Sequence, residues 1–259
     1  TGVEASLMVG TMGVLMSDAS LGLVLYDTGG YALQGEGTVA LQGVDEVDLS
    51  GTVRLEINRS GQVVQESITT GSDEVQVDFS SADEVMRLYG SDMVLALADF
   101  VSVTGDFSFV RGLSGVTTQL RVGASNVSAS LSAGGVSVEV TQGSLAMVIV
   151  QTAGISRYAL SAYGTAALGG VTGVTVEGSV GVRINTTGEA VSEEIGGVPL
   201  VFADGGEIKR FEGTNVVLAL SGFVELRGDF VFEQQGSGDE QKILLGASGA
   251  SAFLGVAGQ

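Results

Sequence analysis

Acidic side chains are the residues of this sequence whose type and spacing could support chemistry. They form short clusters, which are Asp45-Glu46 with Asp48, Asp73-Glu74, Asp83-Glu84, Glu193-Glu194 and Asp239-Glu240. Carboxylate oxygens are the ligands that Ca²⁺ prefers in proteins. However, the chain contains neither an EF-hand loop nor a GGxGxDxUx run, the patterns that arrange such oxygens around calcium. We therefore interpret the clusters as solvated loop charges and assign no metal ligand, with Ca²⁺ as the only metal they suggest.

Missing residue types narrow the chemistry further. The chain has no His, Cys or Trp, so it lacks an imidazole base, a thiolate nucleophile and the usual zinc, haem and iron–sulfur ligands. Two carboxylates alone can hydrolyse a glycoside. Sugar-processing clefts usually stack sugar rings on aromatic side chains, however, and this chain offers only 5 Tyr and no Trp for that purpose. We expect no enzyme activity, no catalytic residue and no cofactor.

The net charge argues against two classes of partner. The 259 residues include 30 acidic and 11 basic side chains, which gives a net charge of -19. Such a surface repels both phosphate backbones and anionic lipid headgroups. No apolar run approaches the roughly 18 residues of a membrane-spanning helix. We therefore expect neither nucleic-acid binding nor membrane insertion, although 44% hydrophobic residues suffice for a folded core.

The sequence contains an internal repeat, so the strands that position these side chains should occur twice. Residues 31–68 and 158–195 are identical at 18 of 38 positions without a gap. After a length change of four residues, 75–109 matches 198–232 at 15 of 35 positions, and Gly-Ala-Ser at 123–125 recurs at 246–248. The sequence therefore predicts two tandem repeats of about 123 residues, 1–126 and 127–259, the second of which includes the start of a further phase.

The two ends of the chain share a phase of this repeat. Ala5-Ser6 and Gly10 recur as Ala250-Ser251 and Gly255. This recurrence indicates two units of a longer array, in which each unit offers its neighbour a surface. A single duplicated domain with a frayed tail is the alternative.

A strand motif with a period of two occurs twice in each repeat. Its copies begin at Val47, Val101, Val174 and Val224 and contain the central glycines Gly51, Gly105, Gly178 and Gly228. In the third copy the valines fall on one face, whereas Thr175, Glu177 and Arg183 fall on the other, which is typical of a half-buried strand. The glycine suggests a bend or the close approach of another backbone. Asp106 and Asp229 follow such glycines, and we expect their carboxylates either to bind local backbone N–H groups or to bond across the sheet, with calcium binding as a further alternative.

Turn residues separate the strands. Asn58–Gly61 and Asn185–Gly188 each follow a long strand, and Ala203–Gly206 separates the segments VPLVF and EIKRF. Because Asn initiates turns and Gly adopts positive φ, we predict that all three are hairpin tips. Asn58, Asn126 and Asn185 also lie in N-x-[ST] sequons, which makes them hypothetical glycosylation sites.

These patterns predict an all-β fold. Strands of about 9 to 11 residues would span roughly 30 to 36 Å, a length that suits antiparallel hairpins. We expect two tandem repeats of long antiparallel strands, each folded as a sandwich-like unit and joined end to end. A β-solenoid or elongated β-roll is the alternative, favoured by the glycine content and by the small Gly-Ala-Ser segments.

The acidic, cysteine-free, Gly/Val/Ser/Thr/Ala-rich repeats resemble a known class of sequence. Together with the segments ALADFVSVTGDFSF and ALSGFVELRGDFVF, they are similar to the tandem-repeat regions of very large bacterial surface and secreted proteins, of the adhesin or extracellular-filament type. The resemblance covers the whole chain and lies at the level of the class. It implies an extracellular or cell-surface location and a structural role.

Two functions follow from this resemblance as hypotheses. In the first, the chain is a spacer or filament segment whose units stack or pair edge to edge with neighbouring repeats or identical chains. In the second, it is an adhesive module that binds a glycan or protein weakly through loops such as Gly71 to Glu74 and Gly236 to Glu240, with avidity from repetition. Loop substitutions would be silent in the first case and would abolish binding in the second.

Overall fold

The computed structural model describes residues 2–9, 12–42, 47–97, 101–114, 117–152, 155–221, 223–236 and 241–255. Within these ranges the chain forms β-strands and no helix, which confirms the all-β prediction. The strands are β1 (Val3–Val9), β2 (Met12–Leu25), β3 (Tyr31–Gln42), β4 (Val47–Asn58), β5 (Val64–Thr70), β6 (Asp73–Phe79), β7 (Val85–Leu97), β8 (Val101–Ser114), β9 (Thr117–Ala133), β10 (Val136–Thr152), β11 (Ile155–Gly169), β12 (Val174–Asn185), β13 (Val191–Ile195), β14 (Val198–Phe202), β15 (Ile208–Leu220), β16 (Val224–Gln235) and β17 (Lys242–Leu254).

Thirteen of the strands form one open sheet. Its order is β1-β2-β3-β4-β7-β8-β9-β10-β11-β12-β15-β16-β17, and all neighbours are antiparallel. The remaining strands form two separate hairpins, β5–β6 and β13–β14. Neighbours in the sheet are consecutive in the chain except at β4–β7 and β12–β15, where one of the two small hairpins intervenes. The prediction of long antiparallel strands is therefore confirmed.

The second layer is smaller than the sequence suggested. The described residues form one wide sheet and two separate two-stranded hairpins, not the expected sandwich of two sheets in each unit. The rungs of a solenoid are not seen either, since neighbouring strands are antiparallel partners. The one-sided alternation of the strands was compatible with both architectures, because it specifies two unlike faces and does not specify what covers them.

Each hairpin covers a compact core on one face of the sheet. Under β5–β6 the buried residues are Ala32, Val64, Val77 and Phe79, with Tyr26 and Ile68 partly buried beside them. Under β13–β14 they are Ala146, Val148, Ala159, Val191, Ile195, Val198, Leu200 and Phe202. Small alanines of the sheet beneath larger hairpin side chains let the two layers approach closely. Both cores therefore lie on the face that carries the hairpins.

The four-residue length change between the repeats lies in these hairpins. Strands β5 and β6 have seven residues each, whereas β13 and β14 have five each. Each hairpin has a two-residue tip, at residues 71–72 and 196–197. The first hairpin is therefore longer by two residues in each strand, which at about 3.3 Å per residue extends it by about 7 Å.

The predicted hairpin tips are wrong in their placement. Residues 58–61 and 185–188 connect the main sheet to a small hairpin, because β4 pairs with β7 and not with β5, and β12 pairs with β15. Ala203–Gly206 leads from β14 back to β15, and these two strands do not pair. The turn chemistry is correctly read from sequence, but a turn residue does not specify which strands pair across it.

A line of β-bulges crosses the sheet beside the motif glycines. Asp92, Asn126 and Asn215 have positive φ angles of 51°, 54° and 53°, and each lies where the register of its strand shifts. Opposite Asn215 and Val216 lies Gly178, whose φ is 159°. A Cβ at Gly178 would lie 2.9 Å from the Cα of Val216, so the predicted close approach of another backbone is confirmed.

Candidate interaction surfaces

The acidic clusters do not converge on one site. Asp45, Glu46, Asp239 and Glu240 lie outside the described residues. Of the others, Glu84 pairs with Arg59 at 2.9 Å, Glu193 pairs with Arg121 at 3.1 Å, Asp83 accepts a hydrogen bond from Ser81 Oγ at 2.6 Å, and Glu74 accepts one from Ser67 Oγ. Among the described residues, no three acidic side chains are grouped closely enough to hold a metal ion.

Asp106 and Asp229 accept backbone N–H groups across the sheet, which is one of the alternatives that the sequence predicted. Asp106 Oδ1 accepts the N–H of Asp92 at 3.1 Å, and Asp229 Oδ1 accepts the N–H of Asn215 at 2.8 Å. The two pairs are equivalent, since both members lie 123 residues apart in the chain. Hydrogen bonds from the Asn126 amide and from the Asp92 N–H lower the pKa of Asp106. Each carboxylate therefore stabilises a bulge of the neighbouring strand.

Asn58 and Asn185 are structural anchors at the points where the chain leaves the sheet. Their side chains are 1% and 0% exposed. The Asn185 amide nitrogen donates to the carbonyls of Glu189 at 3.0 Å and Asp204 at 3.3 Å, and so joins the outgoing and returning legs of the hairpin. Asn58 makes the equivalent bonds in the first repeat. Because both amides are buried and occupied, the glycosylation hypothesis is wrong for these two sequons.

One face of the sheet, which we call the apolar face, carries no hairpin. A row of directly opposed residues from β3 to β17 shows its composition: Gly37, Val53, Gly90, Phe107, Ala124, Leu145, Ala162, Val182, Phe211, Phe232 and Leu245. Many large side chains on this face are exposed, including Leu88 at 41% and Phe211 at 52%. Contiguous apolar surface on this scale marks interaction sites in soluble proteins.

The opposite face, which we call the hairpin face, is polar outside its two cores. The neighbouring row reads Glu36, Arg54, Tyr89, Ser108, Gly123, Ala146, Ser161, Arg183, Arg210, Glu233 and Leu244. Arg210 Nη1 contacts Glu233 Oε2 at 2.8 Å, and this cation lowers the pKa of the buried Glu233 carboxyl. The charged side chains of these two rows therefore lie on the hairpin face.

The sheet also has two edges. At one edge β1 pairs with Met12–Ala19 of β2, and residues 20–25 of β2 have no strand on that side among the described residues. At the other edge β17 pairs with β16 and with no other strand that the structure describes, and every residue of β17 is exposed. Exposed main-chain N–H and C=O groups at such edges are able to pair with further strands.

No protein-family model, no curated protein and no solved structure matches this chain. A search of the described residues finds no helix that is both long enough and apolar enough to cross a membrane.

Two features were not predicted from the sequence. One is that nothing in the described chain covers the apolar face, and the other is that the buried asparagines join the two legs of each hairpin. A signal for the first was present in the third strand motif, whose valines do share one face. In the structure Val176 is 37% exposed, because the hairpins pack on the other side of the sheet. The expectation that the valine face meets the core is therefore wrong. The equivalent positions of Asn58 and Asn185 signalled a shared role without specifying burial.

Proposed function

We propose that this chain is a structural extracellular repeat protein, a spacer or filament segment built from units at residues 1–126 and 127–259. One observation carries the proposal: the sheet continues without interruption from β8 and β9 of the first unit into β10 and β11 of the second. The boundary lies within β9, so the two units share main-chain hydrogen bonds and are not separate bodies joined by a linker. This continuity suits an array that extends by adding strands.

The hairpin of the second unit adds a packing contact across the same boundary. Ile195 at the end of β13 is 2% exposed and lies against Gly123 of β9. Arg121 of β9 also pairs with Glu193 of β13, with Nε 3.1 Å from Oε2. Each unit would therefore be stabilised by its neighbour through strand pairing, apolar burial and an ion pair, which are the interface terms of a repeat protein.

Equivalent geometry at matched positions supports the repeat itself. The bulges at Asp92 and Asn215 are held by carboxylates at Asp106 and Asp229, and the crossovers at Asn58 and Asn185 are held by buried amides. One period of the sequence repeat, counted from β3 to its counterpart β11, contains the sheet strands β3, β4, β7, β8, β9 and β10. Six strands at about 4.8 Å spacing predict that each unit lengthens the array by about 29 Å.

A chain with one further copy of the second unit tests this proposal. Small-angle scattering should show a maximum dimension that is about 29 Å longer than that of the present chain. The free energy of unfolding should also rise, because the added unit brings an additional interface. An unchanged dimension, or separate unfolding transitions for the units, would contradict the spacer role.

An adhesive binding module is the second candidate, and one feature favours it. Residues 71–74, at and beside the tip of the first hairpin, are all exposed. A glycan array and a pull-down of surface proteins, each performed with the present chain and with a Glu74→Ser variant, would test this role. Binding that disappears in the variant would favour the adhesive module, whereas the spacer predicts that the two chains behave alike.

A further inference from the structure

The apolar face is continuous along the strands as well as across them. On β10, in the middle of the sheet, its residues are Val138, Val140, Leu145, Met147 and Ile149. Neighbouring strands present apolar residues at the same levels, since Leu131 of β9 opposes Val138 and Leu160 of β11 opposes Met147. The face is therefore one broad apolar surface that extends through both units.

The size of this face determines what kind of partner fits it. Ten strands from β3 to β16 share it. From strand spacing and residue rise it measures roughly 43 Å by 30 Å, or about 1,300 Å². A stable interface uses about 800 Å² of each partner. The runs of residues between the described ranges have at most four members, which is too few to cover such an area. The face therefore requires a partner with a broad apolar surface of its own.

The distribution of charge permits two copies to meet through this face. On the regular parts of β3 to β16, the described side chains of the apolar face include two charged groups, Arg111 and Lys209, and no carboxylate. Two packed sheets lie about 10 Å apart, and both hairpin faces then lie on the outside. Their carboxylates are thus separated by more than the Debye length of about 8 Å at physiological ionic strength. The net charge of -19 therefore opposes this arrangement less than contact through the hairpin faces.

The apolar face has a depression in the first unit and a protruding side chain in the second. The depression has a volume of about 360 Å³ and lies beside Gly90 of β7, with Leu88, Leu95 and Phe107 among its walls. Phe211 of β15 is 52% exposed and belongs to the same row of opposed residues as Gly90. Strands β7 and β15 are each three strands from β10, on opposite sides of it. A two-fold axis along β10 therefore places Phe211 of one copy over the depression of the other.

We propose that two copies of this chain pack apolar face against apolar face about a two-fold axis along β10. Phe211 of each copy enters the depression beside Gly90 of the other, so the first unit of one copy covers the second unit of the other. Both copies use the same surface, so the contact is isologous and closes at a dimer. The product is a two-layer β-sandwich shared by two chains, in which each sheet buries its apolar side.

This pairing goes beyond the spacer role and does not depend on it. A second layer thickens the assembly by about 10 Å, whereas an added unit lengthens it. The scattering experiment on a chain with an additional unit therefore tests the spacer role whether or not the faces pair.

Two phenylalanine variants on opposite faces test the contact. Sedimentation velocity of the present chain over a concentration series should show a monomer–dimer equilibrium. Phe211→Ala should raise the dissociation constant at least tenfold, because it removes an aromatic side chain from the interface. Phe253→Ala removes a ring that is 46% exposed on the hairpin face of β17 and should change the constant less than twofold. Circular dichroism of both variants should show the strand content of the parent chain.

A single engineered cysteine tests the axis, since the chain contains no native cysteine. Leu145 lies on the apolar face of β10, so in the proposed dimer it faces its own counterpart. Under mild oxidation Leu145→Cys should form a disulfide-linked dimer. Thr141→Cys places an exposed thiol on the hairpin face of the same strand and should form at least tenfold less of this product.

Dye binding provides an independent readout. Below the dissociation constant of the dimer the apolar face is open to solvent, so the amount of apolar dye bound per chain should fall as the chain concentration rises through that constant. Three results would overturn the proposal: equal effects of the two phenylalanine variants, equal cross-linking of the two cysteine variants, and a chain that stays monomeric at high concentration. A monomeric chain that binds phosphatidylcholine vesicles would show that the face takes a lipid surface instead of a second copy.

Discussion

Asp106 joins two neighbouring bulges through one carboxylate. Its Oδ1 accepts the backbone N–H of Asp92 on β7 at 3.1 Å, and its Oδ2 accepts the side-chain amide of Asn126 on β9 at 2.7 Å. Both donors have positive φ, so a single side chain stabilises irregular backbone on either side of its strand. In the second repeat, Asp229 accepts the equivalent hydrogen bond from the N–H of Asn215. The position of Asn126 is taken there by Gly249, which has no side-chain amide to donate a second bond.

We predict that Asp106→Asn makes the free energy of unfolding less dependent on acid pH. The hydrogen bonds from Asn126 and Asp92 lower the pKa of Asp106 in the folded chain from 3.8. A lowered carboxyl pKa contributes stability above the unfolded-state pKa, and this contribution is lost as pH falls through the folded-state pKa. Denaturant titration should show a loss of about 1 kcal/mol at pH 7 that shrinks below pH 3.8. Asp48→Asn, which removes an exposed carboxylate of β4, serves as the control and should change the free energy of unfolding at pH 7 by less than about 0.5 kcal/mol.

We predict that Asn185→Ala lowers the free energy of unfolding by about 2 to 3 kcal/mol. The substitution leaves the carbonyls of Glu189 and Asp204 without their donor and removes the acceptor of the Thr187 N–H. Urea unfolding monitored by circular dichroism measures the change. Gln65→Ala removes an exposed amide from β5 and should cost less than about 0.5 kcal/mol. Equal effects of the two variants would mean that the crossover does not depend on the buried amide.

We predict that Gly178→Ala is destabilising by about 1 to 3 kcal/mol. At φ 159° the position lies in a region that L side chains rarely adopt, and the added Cβ would meet the Cα of Val216 at 2.9 Å. The control is Gly197→Asn at the tip of β13–β14, where φ is 76° and the Cβ position is open. Because Asn tolerates this conformation, the midpoint of thermal unfolding should change little. A tolerated alanine at 178 would show that the bulge can move.

We predict that the paired substitution Leu88→Thr with Phe109→Thr lowers the binding of an apolar fluorescent dye and raises the solubility limit. These two residues oppose each other on the apolar face and are 41% and 40% exposed. Threonine keeps a high strand propensity while reducing the exposed apolar area. Tyr89→Thr lies on the hairpin face and should leave dye binding unchanged. If the double substitution does not alter dye binding, the apolar face is covered in solution.

The wrongly predicted hairpin tips show that turn residues alone do not specify which strands pair. Asn58 and Asn185 were correctly identified as turn residues because an asparagine side chain readily bonds to backbone two residues ahead, as Asn185 does with Thr187. The same turn chemistry serves a tight hairpin and a crossover to another layer. Only pairing over longer sequence distance, such as Arg183 opposite Arg210, decides between them.

The sequence by itself determined the strands, their two unlike faces and the close contact at the motif glycines. Each of these follows from a period of two or from the conformational freedom of glycine, which are local properties of the chain. Tertiary structure decided that the hairpins pack on the polar side, that the apolar side stays uncovered, and that Ile195 is buried where Ile68 is not. These outcomes depend on which strands are neighbours and on what lies above them, and alternation along a single strand carries no information about either.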